Sequence, residues 1–504
     1  MTMGLNIFTF SRNLSIVTYL LSVAFLLISF QAFARYDYNS NCRQAMQSIL
    51  DLKFRDARVF IANEKTVHPD NGYAIFLEHY ADAIELIVTE EEELYERLID
   101  NFEDRMDRMN KLDDGSPDNR WLQAEILFHT GLAQIKYGSR FGGATKLMSS
   151  YRKTREHRQK YPDFWQNRKL TGIFNIILDY IPPFMRWAAD MFGYSGNAEL
   201  GLFQLRQYCD DAAATPGFAE EGVMMAALGY KLTWGEPEGF AFLAGQPESM
   251  QSKTLVKYLY ASAATYTYRN DLALSLLSDI RREDLQVNFY HLDYITGRCK
   301  LNHLEPDAAV YLQKYLDEFP GLDYKKDVCN RLSFHFLVHG EMERYREYRE
   351  MTGRVGQELR DRDQEAVLES RSGYDPHPGL LRARLLCDGG YFEEAMQVLL
   401  AIRPDEMNTP PFRLEFLYRK GRILQLSGHP AEAILELTAC FEQGEKFPYT
   451  FACRSALYLG KIYEESKDSA KAAEWYEKCI GVYSTSHTTE GIREMASRAL
   501  KRLK

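Results

Sequence analysis

The chain has 504 residues, of which 45% are hydrophobic and 26% charged, and its formal net charge is -10 at pH 7. This composition is typical of globular proteins and excludes a disordered chain. The length exceeds that of one ordinary domain unless repeats build it. Because phosphate binding needs a basic surface, the acidic balance argues against nucleic acid as the main partner.

The first 34 residues have the pattern of a secretory signal peptide. Arg12 precedes an apolar run over residues 16–30, and the small-x-small sequence of residues 32–34 follows. This order predicts cleavage after Ala34 and export. The rest of the chain has no Asn-x-Ser/Thr sequon, so we expect a bacterial periplasmic protein. The alternative is an uncleaved N-terminal membrane anchor, because the apolar run is just long enough to span a bilayer.

Residues 35–165 predict N-terminal helical repeats. The sequence from Cys42 to Lys65 reads as an atypical helix pair, and "EEEELYERLIDNFEDRMDRMNKL" reads as one charged amphipathic helix. A further repeat follows, with Gly131 and Ala144 as small residues at the expected points of close helix contact.

Residues 166–250 form an apolar segment that is interrupted by "DYIPPFMRWAADMFGYSGNAELG". Pro182 and Pro183 should end a helix, since proline lacks a backbone donor. Asn197 should cap the next helix, and Gly201 should allow close helix contact. We therefore predict a corner between two helical arrays in which Trp187 is buried. A membrane or lipid contact is the alternative use of residues 170–205.

The clearest repeat lies in "SALYLGKIYEESKDSAKAAEWYEKCIGVY", residues 455–483. Gly460 and Tyr463 share a face of a first helix, and Ala472 and Tyr476 share a face of a second. Small residues let the two helices approach, and the aromatic rings fill the space beside them. This is the pattern of a tetratricopeptide repeat.

The pattern recurs upstream. Gly421 and Ala433 occupy the matching positions of the preceding copy, and the second-helix alanines Ala395, Ala433 and Ala472 follow one another after 38 and 39 residues. Weaker copies surround Ala273 and Ala308. Strand patterns are scarce. The sequence therefore predicts an all-α, tetratricopeptide-like helical-repeat solenoid, with the C-terminal repeats covering residues 251–504.

Residues 120–210 resemble the tetratricopeptide repeat protein thirty-nine family and its inclusion-body-clearance relatives of the outer mitochondrial membrane Iml type. The resemblance rests on a helix pair ending in a basic stretch, a Leu-rich helix ending in Pro-Pro, and a glycine loop before the next helix. The matching positions are Pro182, Pro183, Gly193, Ser195, Gly196 and Gly201. The resemblance implies an adaptor-like protein linked to lipid handling and organelle surfaces, without enzyme activity.

No catalytic motif or cofactor-binding pattern is present: GxGxxG, GxxxxGK[ST], HExxH and GxSxG are all missing. His335 and His339 are four residues apart and could share a helix face with Glu341 nearby. Because a metal site needs at least a third ligand, we predict no metal site there. The eight cysteines show no CxxC spacing, and their repeat positions favour packing.

One basic stretch is a candidate binding surface. It consists of Arg152, Lys153, Arg155, Arg158 and Lys160. It could bind an anionic partner or form a solvated helix face. The sequence therefore favours a non-catalytic scaffold that binds a protein or peptide through its repeat surface. The alternative is a lipid-handling or membrane-peripheral protein that uses the apolar segment and this basic stretch.

Overall fold

The structure is a computed structural model that describes residues 35–112, 115–180, 195–358, 360–482 and 487–503. Within these ranges the regular elements are α-helices and two short 3-10 turns, with no strand. The all-α, helical-repeat prediction is therefore confirmed. The predicted signal peptide, residues 1–34, lies outside the described residues.

The N-terminal part contains eight helices in the described ranges up to residue 180. They are α1 (Ser40–Leu50), α2 (Phe54–Val67), α3 (Gly72–Thr89), α4 (Glu92–Asp100), α5 (Phe102–Lys111), α6 (Pro117–Lys136), α7 (Arg140–Lys160) and α8 (Asn167–Asp179). Helices α1 and α2 form the predicted pair, and α6 packs along α7. Asn39 accepts a hydrogen bond from the backbone N–H of Cys42 and so caps α1.

Two details of this part differ from the prediction. The single amphipathic helix is divided into α4 and α5 at Asn101, whose side chain donates to the Arg97 carbonyl and competes with the regular helical pattern. Gly143, and not the exposed Ala144, meets Gly131 at the contact between α6 and α7. The prediction was therefore one residue out of register at that contact.

The central part continues with α9 (Ala198–Ala212), α10 (Phe218–Thr233), α11 (Glu236–Ala244), α12 (Glu248–Gln251), α13 (Thr254–Tyr266), α14 (Asn270–Ser278), α15 (His291–Asn302) and α16 (Ala308–Glu318). Asn197 caps α9 as predicted, because its Oδ1 accepts from the Leu200 N–H at 2.8 Å. Gly201 lies against Gly172 of α8, where a Cβ would be 2.6 Å from the Gly172 carbonyl oxygen. This close approach holds α8 and α9 together.

The C-terminal part consists of α17 (Lys325–Val338), α18 (Met342–Thr352), α19 (Asp361–Ser370), α20 (Pro378–Gly389), α21 (Phe392–Leu400), α22 (Pro410–Leu426), α23 (Pro430–Gly444), α24 (Phe451–Glu465), α25 (Ser469–Gly481) and α26 (His487–Leu503). Helices α20 and α21, α22 and α23, and α24 and α25 pack as successive pairs. Each pair is a repeat unit that buries its apolar face against its own partner and its neighbours.

The hydrophobic core runs along the stack of helices. Its largest cluster extends from Cys42 to Leu385 and so contains residues of all three segments predicted from the sequence. A second cluster extends from Leu414 to Ala499, and a smaller cluster between the two packs against Leu304 on one side and Met396 on the other. The repeats therefore share a nearly continuous core.

In the part of the chain that the structure describes, no helix is both long enough and apolar enough to cross a membrane.

Candidate partner-binding groove

Helices of the C-terminal part, together with residues of α13 and α15 and with Tyr268, enclose two adjoining cavities of about 640 Å³ and 130 Å³. The two share lining residues that include Tyr268, Asn330 and Arg384. We name the combined depression the arginine–tyrosine groove. Its larger cavity has the volume of an ordinary binding site for a small molecule or a peptide side chain.

Helices α17, α19, α20, α22 and α24 supply most of the lining. Side chains three or four residues apart lie on one face of a helix. Helix α22 therefore presents Tyr418 and Arg422 to the groove, and α24 presents Arg454 and Tyr458. Stacking of the repeats brings these side chains of α22 and α24 next to each other.

The arginines occupy a recurring position in the repeats. Arg298, Arg384 and Arg422 each follow the small residue at which the first helix of a pair contacts the second. At one such contact, a Cβ on Gly421 would lie 2.6 Å from Leu437 Cγ. Because successive helical residues point about 100° apart, a residue that touches the partner helix is followed by one that faces sideways. In this stack, that direction is toward the groove.

The lining of the larger cavity is rich in arginine, although the whole chain is acidic. Six arginines and four carboxylates line it: Arg349, Arg362, Arg384, Arg419, Arg422, Arg454, Glu365, Glu369, Asp388 and Glu415. The cavity therefore carries an excess of positive charge on a chain of formal net charge -10.

Some of these charges are paired within the groove. Arg384 contacts Glu369 at 2.7 Å, and Arg419 contacts Glu415 at 2.8 Å. Burial opposes ionisation of Glu369, but the Arg384 guanidinium and the Asn330 amide outweigh that effect and hold the pKa of Glu369 below its usual value. These pairs fix the groove walls.

In the larger cavity, two of the six arginines, Arg422 and Arg454, have no carboxylate partner among the described residues. Arg422 is only 7% exposed; it donates to the Tyr268 hydroxyl at 2.9 Å, and its guanidinium lies 3.5 Å from the centre of the Tyr458 ring. The guanidinium of Arg454 makes no hydrogen bond or ion pair within the described chain. A buried cation without a counter-ion is unfavourable, so the buried Arg422, with the half-buried Arg454 also lining the cavity, favours an incoming anion.

The tyrosines add unoccupied hydrogen-bonding groups. Tyr418 is 4% exposed, lines the cavity, and its hydroxyl has no partner within the described chain. The neighbouring Arg422 lowers the pKa of Tyr458 below its ordinary value, because a cation favours the phenolate. Phenolic donors and guanidinium groups thus meet at one place in the groove.

The basic stretch predicted from the sequence lies elsewhere. Arg152, Lys153, Arg155, Arg158 and Lys160 all belong to α7 and line neither cavity. Most of these side chains are exposed, and Lys153 donates to Gln123 Oε1 at 2.9 Å. The structure therefore places them along one solvent-facing helix, and their binding role stays a prediction.

The predicted repeat positions lie at helix contacts. Ala433 and Ala472 are completely buried, and Gly421 meets Leu437 as described above. Gly460 faces the ring of Tyr476. The remaining position, Tyr463, is partly buried beneath Lys471.

The corner is only partly described. Pro182, Pro183, Trp187, Phe192 and Gly193 lie outside the described residues, so the helix end expected at the prolines and the expected burial of Trp187 stay predictions.

The described flanks of the corner begin after that gap. Ser195 and Gly196 lead into α9, and Gly196 lies against the backbone at the end of α8. Leu200 and Phe203 are exposed on α9. The lipid-contact alternative for residues 170–205 therefore stays a prediction as well.

His335 and His339 lie at the end of α17. His339 Nδ1 is 2.7 Å from the carbonyl oxygen of His335, and burial lowers the pKa of His335 to about 4. Across the described ranges, no three histidine, cysteine or acidic side chains are grouped as metal ligands. The described cysteines are free thiols, and Cys440 and Cys479 are buried at equivalent repeat positions.

Comparison with known proteins supports the repeat assignment. The tetratricopeptide repeat family matches residues 456–485, which corresponds to the helix pair α24 and α25. The chain therefore contains a tetratricopeptide repeat at the place where the sequence pattern is clearest. A search of curated proteins gives no significant match.

Two solved structures are similar to the chain at low TM-scores. The tetratricopeptide repeat domain of P58(IPK) is 14% identical, with 81% of this chain and 97% of that chain covered and a TM-score of 0.22. The Cut9-Hcn1 hetero-tetramer of APC/C is 12% identical, with 94% and 98% covered and a TM-score of 0.29. At these scores neither likeness says anything about function.

Proposed function

We propose that the chain is a non-catalytic helical-repeat scaffold that binds a segment of a partner protein in the arginine–tyrosine groove. One observation carries the proposal: the buried Arg422 has no carboxylate counter-ion and lies beside a cavity of about 640 Å³. A buried arginine without a counter-ion is stabilised when an anionic group of a ligand binds beside it, so this position is suited to binding a partner.

The repeat architecture supports a protein or peptide as that ligand. Stacked helix pairs form an extended surface to which several repeats contribute side chains. The groove receives side chains from residues between Tyr268 and Tyr458, which is a length of surface suited to an extended segment. It also offers aromatic side chains, which are enriched at protein interfaces.

Two finer assignments belong to the same proposal. The Gly196 and Gly201 positions support membership of the tetratricopeptide repeat protein thirty-nine family, and the pattern of residues 1–34 supports export to the periplasm. The groove is independent of both assignments, because its residues lie outside the segments that carry them.

Site-specific photocrosslinking in the native cell tests the proposal. A photoreactive residue replaces Leu368, which is 37% exposed in the groove lining. The matched control replaces Leu435, which is 70% exposed on α23 and lines neither cavity. We expect a defined protein adduct from position 368 that is missing from position 435. Identical adducts at both positions, or none at position 368, would exclude the groove as the partner site.

A further inference from the structure

The larger cavity of the groove contains two arginines, Arg422 and Arg454, that form no ion pair with its carboxylates. Arg454 makes no ion pair within the described chain, although Glu365 influences it electrostatically. Arg422 is held by Gln425 and Tyr268, and both of these partners are neutral. Desolvated guanidinium groups bind carboxylates strongly, through charge-assisted and often bidentate hydrogen bonds.

The aromatic side chains complete a site of defined shape. The rings of Tyr418 and Tyr458 have their centres 6.3 Å apart, and the Tyr418 ring lies 5.8 Å from that of Phe451. The free Tyr418 hydroxyl can donate to a bound oxygen atom. The site therefore combines two guanidinium groups, a phenol and an apolar wall.

The remaining charges of the groove limit which anion it takes. Glu369, Asp388 and Glu415 also line the cavity, so a continuous polyanion would meet carboxylates as well as arginines along its length. A chain with separated negative charges would place a carboxylate at the arginines and neutral groups beside the acids. An acidic peptide satisfies this requirement, whereas a nucleic acid strand does not.

We infer that the groove recognises a peptide segment with spaced acidic residues, and that Arg422, Arg454 and Tyr418 bind a carboxylate of that segment. This inference rests on the proposed function and adds the chemical class of the partner. One carboxylate can receive hydrogen bonds from both guanidinium groups and the phenol. Aromatic residues of the same segment can lie against Phe451 and the tyrosine rings.

Fluorescence anisotropy with synthetic probes tests the inference on the full chain. The acidic probe is a fluorescein-labelled peptide repeating Glu-Gly-Tyr-Glu, and the neutral probe repeats Gln-Gly-Tyr-Gln. We expect the acidic probe to bind at least about tenfold more tightly, since a charge-assisted hydrogen bond changes affinity by roughly that factor or more. Its binding should weaken as salt increases. Equal affinity for both probes would overturn the inference.

Three variants locate the binding at the named residues. Arg454→Gln should weaken the acidic probe by about ten- to a hundredfold. Arg281→Gln is the control, because Arg281 is 70% exposed and lines neither cavity. Tyr418→Phe removes only a hydroxyl and should weaken binding of the acidic probe by about three- to tenfold. If Arg454→Gln fails to fold, this variant still tests whether the probe binds at the named residues. Unchanged affinity in a folded Arg454→Gln or Tyr418→Phe variant would overturn the assignment.

Two further outcomes separate this inference from the proposed function. A groove-specific crosslink combined with equal binding of both probes would keep the scaffold role and exclude acidic recognition. Arginine-dependent binding of the acidic probe without a groove-specific crosslink would keep the chemistry and exclude the scaffold role.

A thymidine oligonucleotide that displaced the acidic probe at lower concentration than unlabelled acidic peptide would contradict the peptide assignment.

Discussion

The contact between α8 and α9 gives a prediction that depends on one methyl group. In Gly201→Ala the new Cβ would lie 2.6 Å from the Gly172 carbonyl oxygen and 2.7 Å from Ile176 Cγ1. Ordinary contacts of this kind begin at 3.4 Å. Because one of the two neighbours is backbone, the helices themselves must move apart to accept the methyl group.

The magnitude follows from two opposing effects. Overpacking a close contact costs about 1–3 kcal/mol, whereas alanine is better than glycine in a helix interior by up to about 1 kcal/mol. Because the Gly172 carbonyl is backbone and cannot move aside alone, the overpacking cost lies at the upper end of that range, and we expect Gly201→Ala to lower the free energy of unfolding by about 1–2 kcal/mol. The net effect is a loss, because the steric cost exceeds the gain in helix propensity.

Gly491→Ala is the matched control. Gly491 lies within α26, and a Cβ there would meet no atom within 4 Å. Only the propensity effect remains, so this variant should gain about 0.5–1 kcal/mol. Urea unfolding followed by circular dichroism at 222 nm should move the midpoint down for Gly201→Ala and up for Gly491→Ala. A midpoint for Gly201→Ala equal to or above that of the wild type would refute the close contact.

Three further changes test other parts of the structure. Ala472→Leu should lower the free energy of unfolding by about 1–3 kcal/mol in urea, because Ala472 is completely buried where α25 packs against α24. An unchanged midpoint of unfolding would show that the repeat positions assigned to α24 and α25 are wrong. Burial lowers the pKa of His291 to about 4, so the unfolded chain binds a proton on this imidazole at a higher pH than the folded chain does. The free energy of unfolding should therefore fall as the pH drops from about 6.5 to 4, by up to about 3 kcal/mol. His291→Asn should reduce this pH dependence, and a stability–pH profile identical to that of the wild type would contradict the assignment. Lys169→Met should lower the free energy of unfolding by about 3–5 kcal/mol. Lys169 Nζ lies 2.7 Å from Glu125 and 3.0 Å from Glu221 in the buried core, and its removal leaves both carboxylates without their cation. A variant that unfolds at the same temperature as the wild type would contradict this pairing.

The fold could be predicted from the sequence because its signal is local. The small residues Gly421 and Gly460 recur 39 residues apart, at the spacing of the repeats, and each faces a second-helix residue that the same pattern identifies. One of the two errors arose where small residues are adjacent. Gly143 and Ala144 are both compatible with a helix contact, and only the packing of α6 against α7 decides between them.

The groove could not be predicted in the same way because its parts are distant along the chain. Tyr268 and Arg422 are 154 residues apart and are brought together by stacking of the repeats. A partial signal exists, since Arg298, Arg384 and Arg422 each follow a small residue at a helix contact. The basic stretch on α7 was more conspicuous because its charges are contiguous. A contiguous run of charged residues, however, indicates a charged helix face and not the lining of a cavity.

The central claim is that a protein partner binds in the groove through its unpaired arginines. The most direct measurement is photocrosslinking from position 368 in the native cell, with Arg422→Gln and Arg454→Gln introduced together. Circular dichroism should first show that the variant keeps its helical content. We predict that the adduct formed by the chain with both arginines is lost from this variant and is retained in Arg281→Gln. An adduct of unchanged identity and yield in the folded double variant would contradict the account.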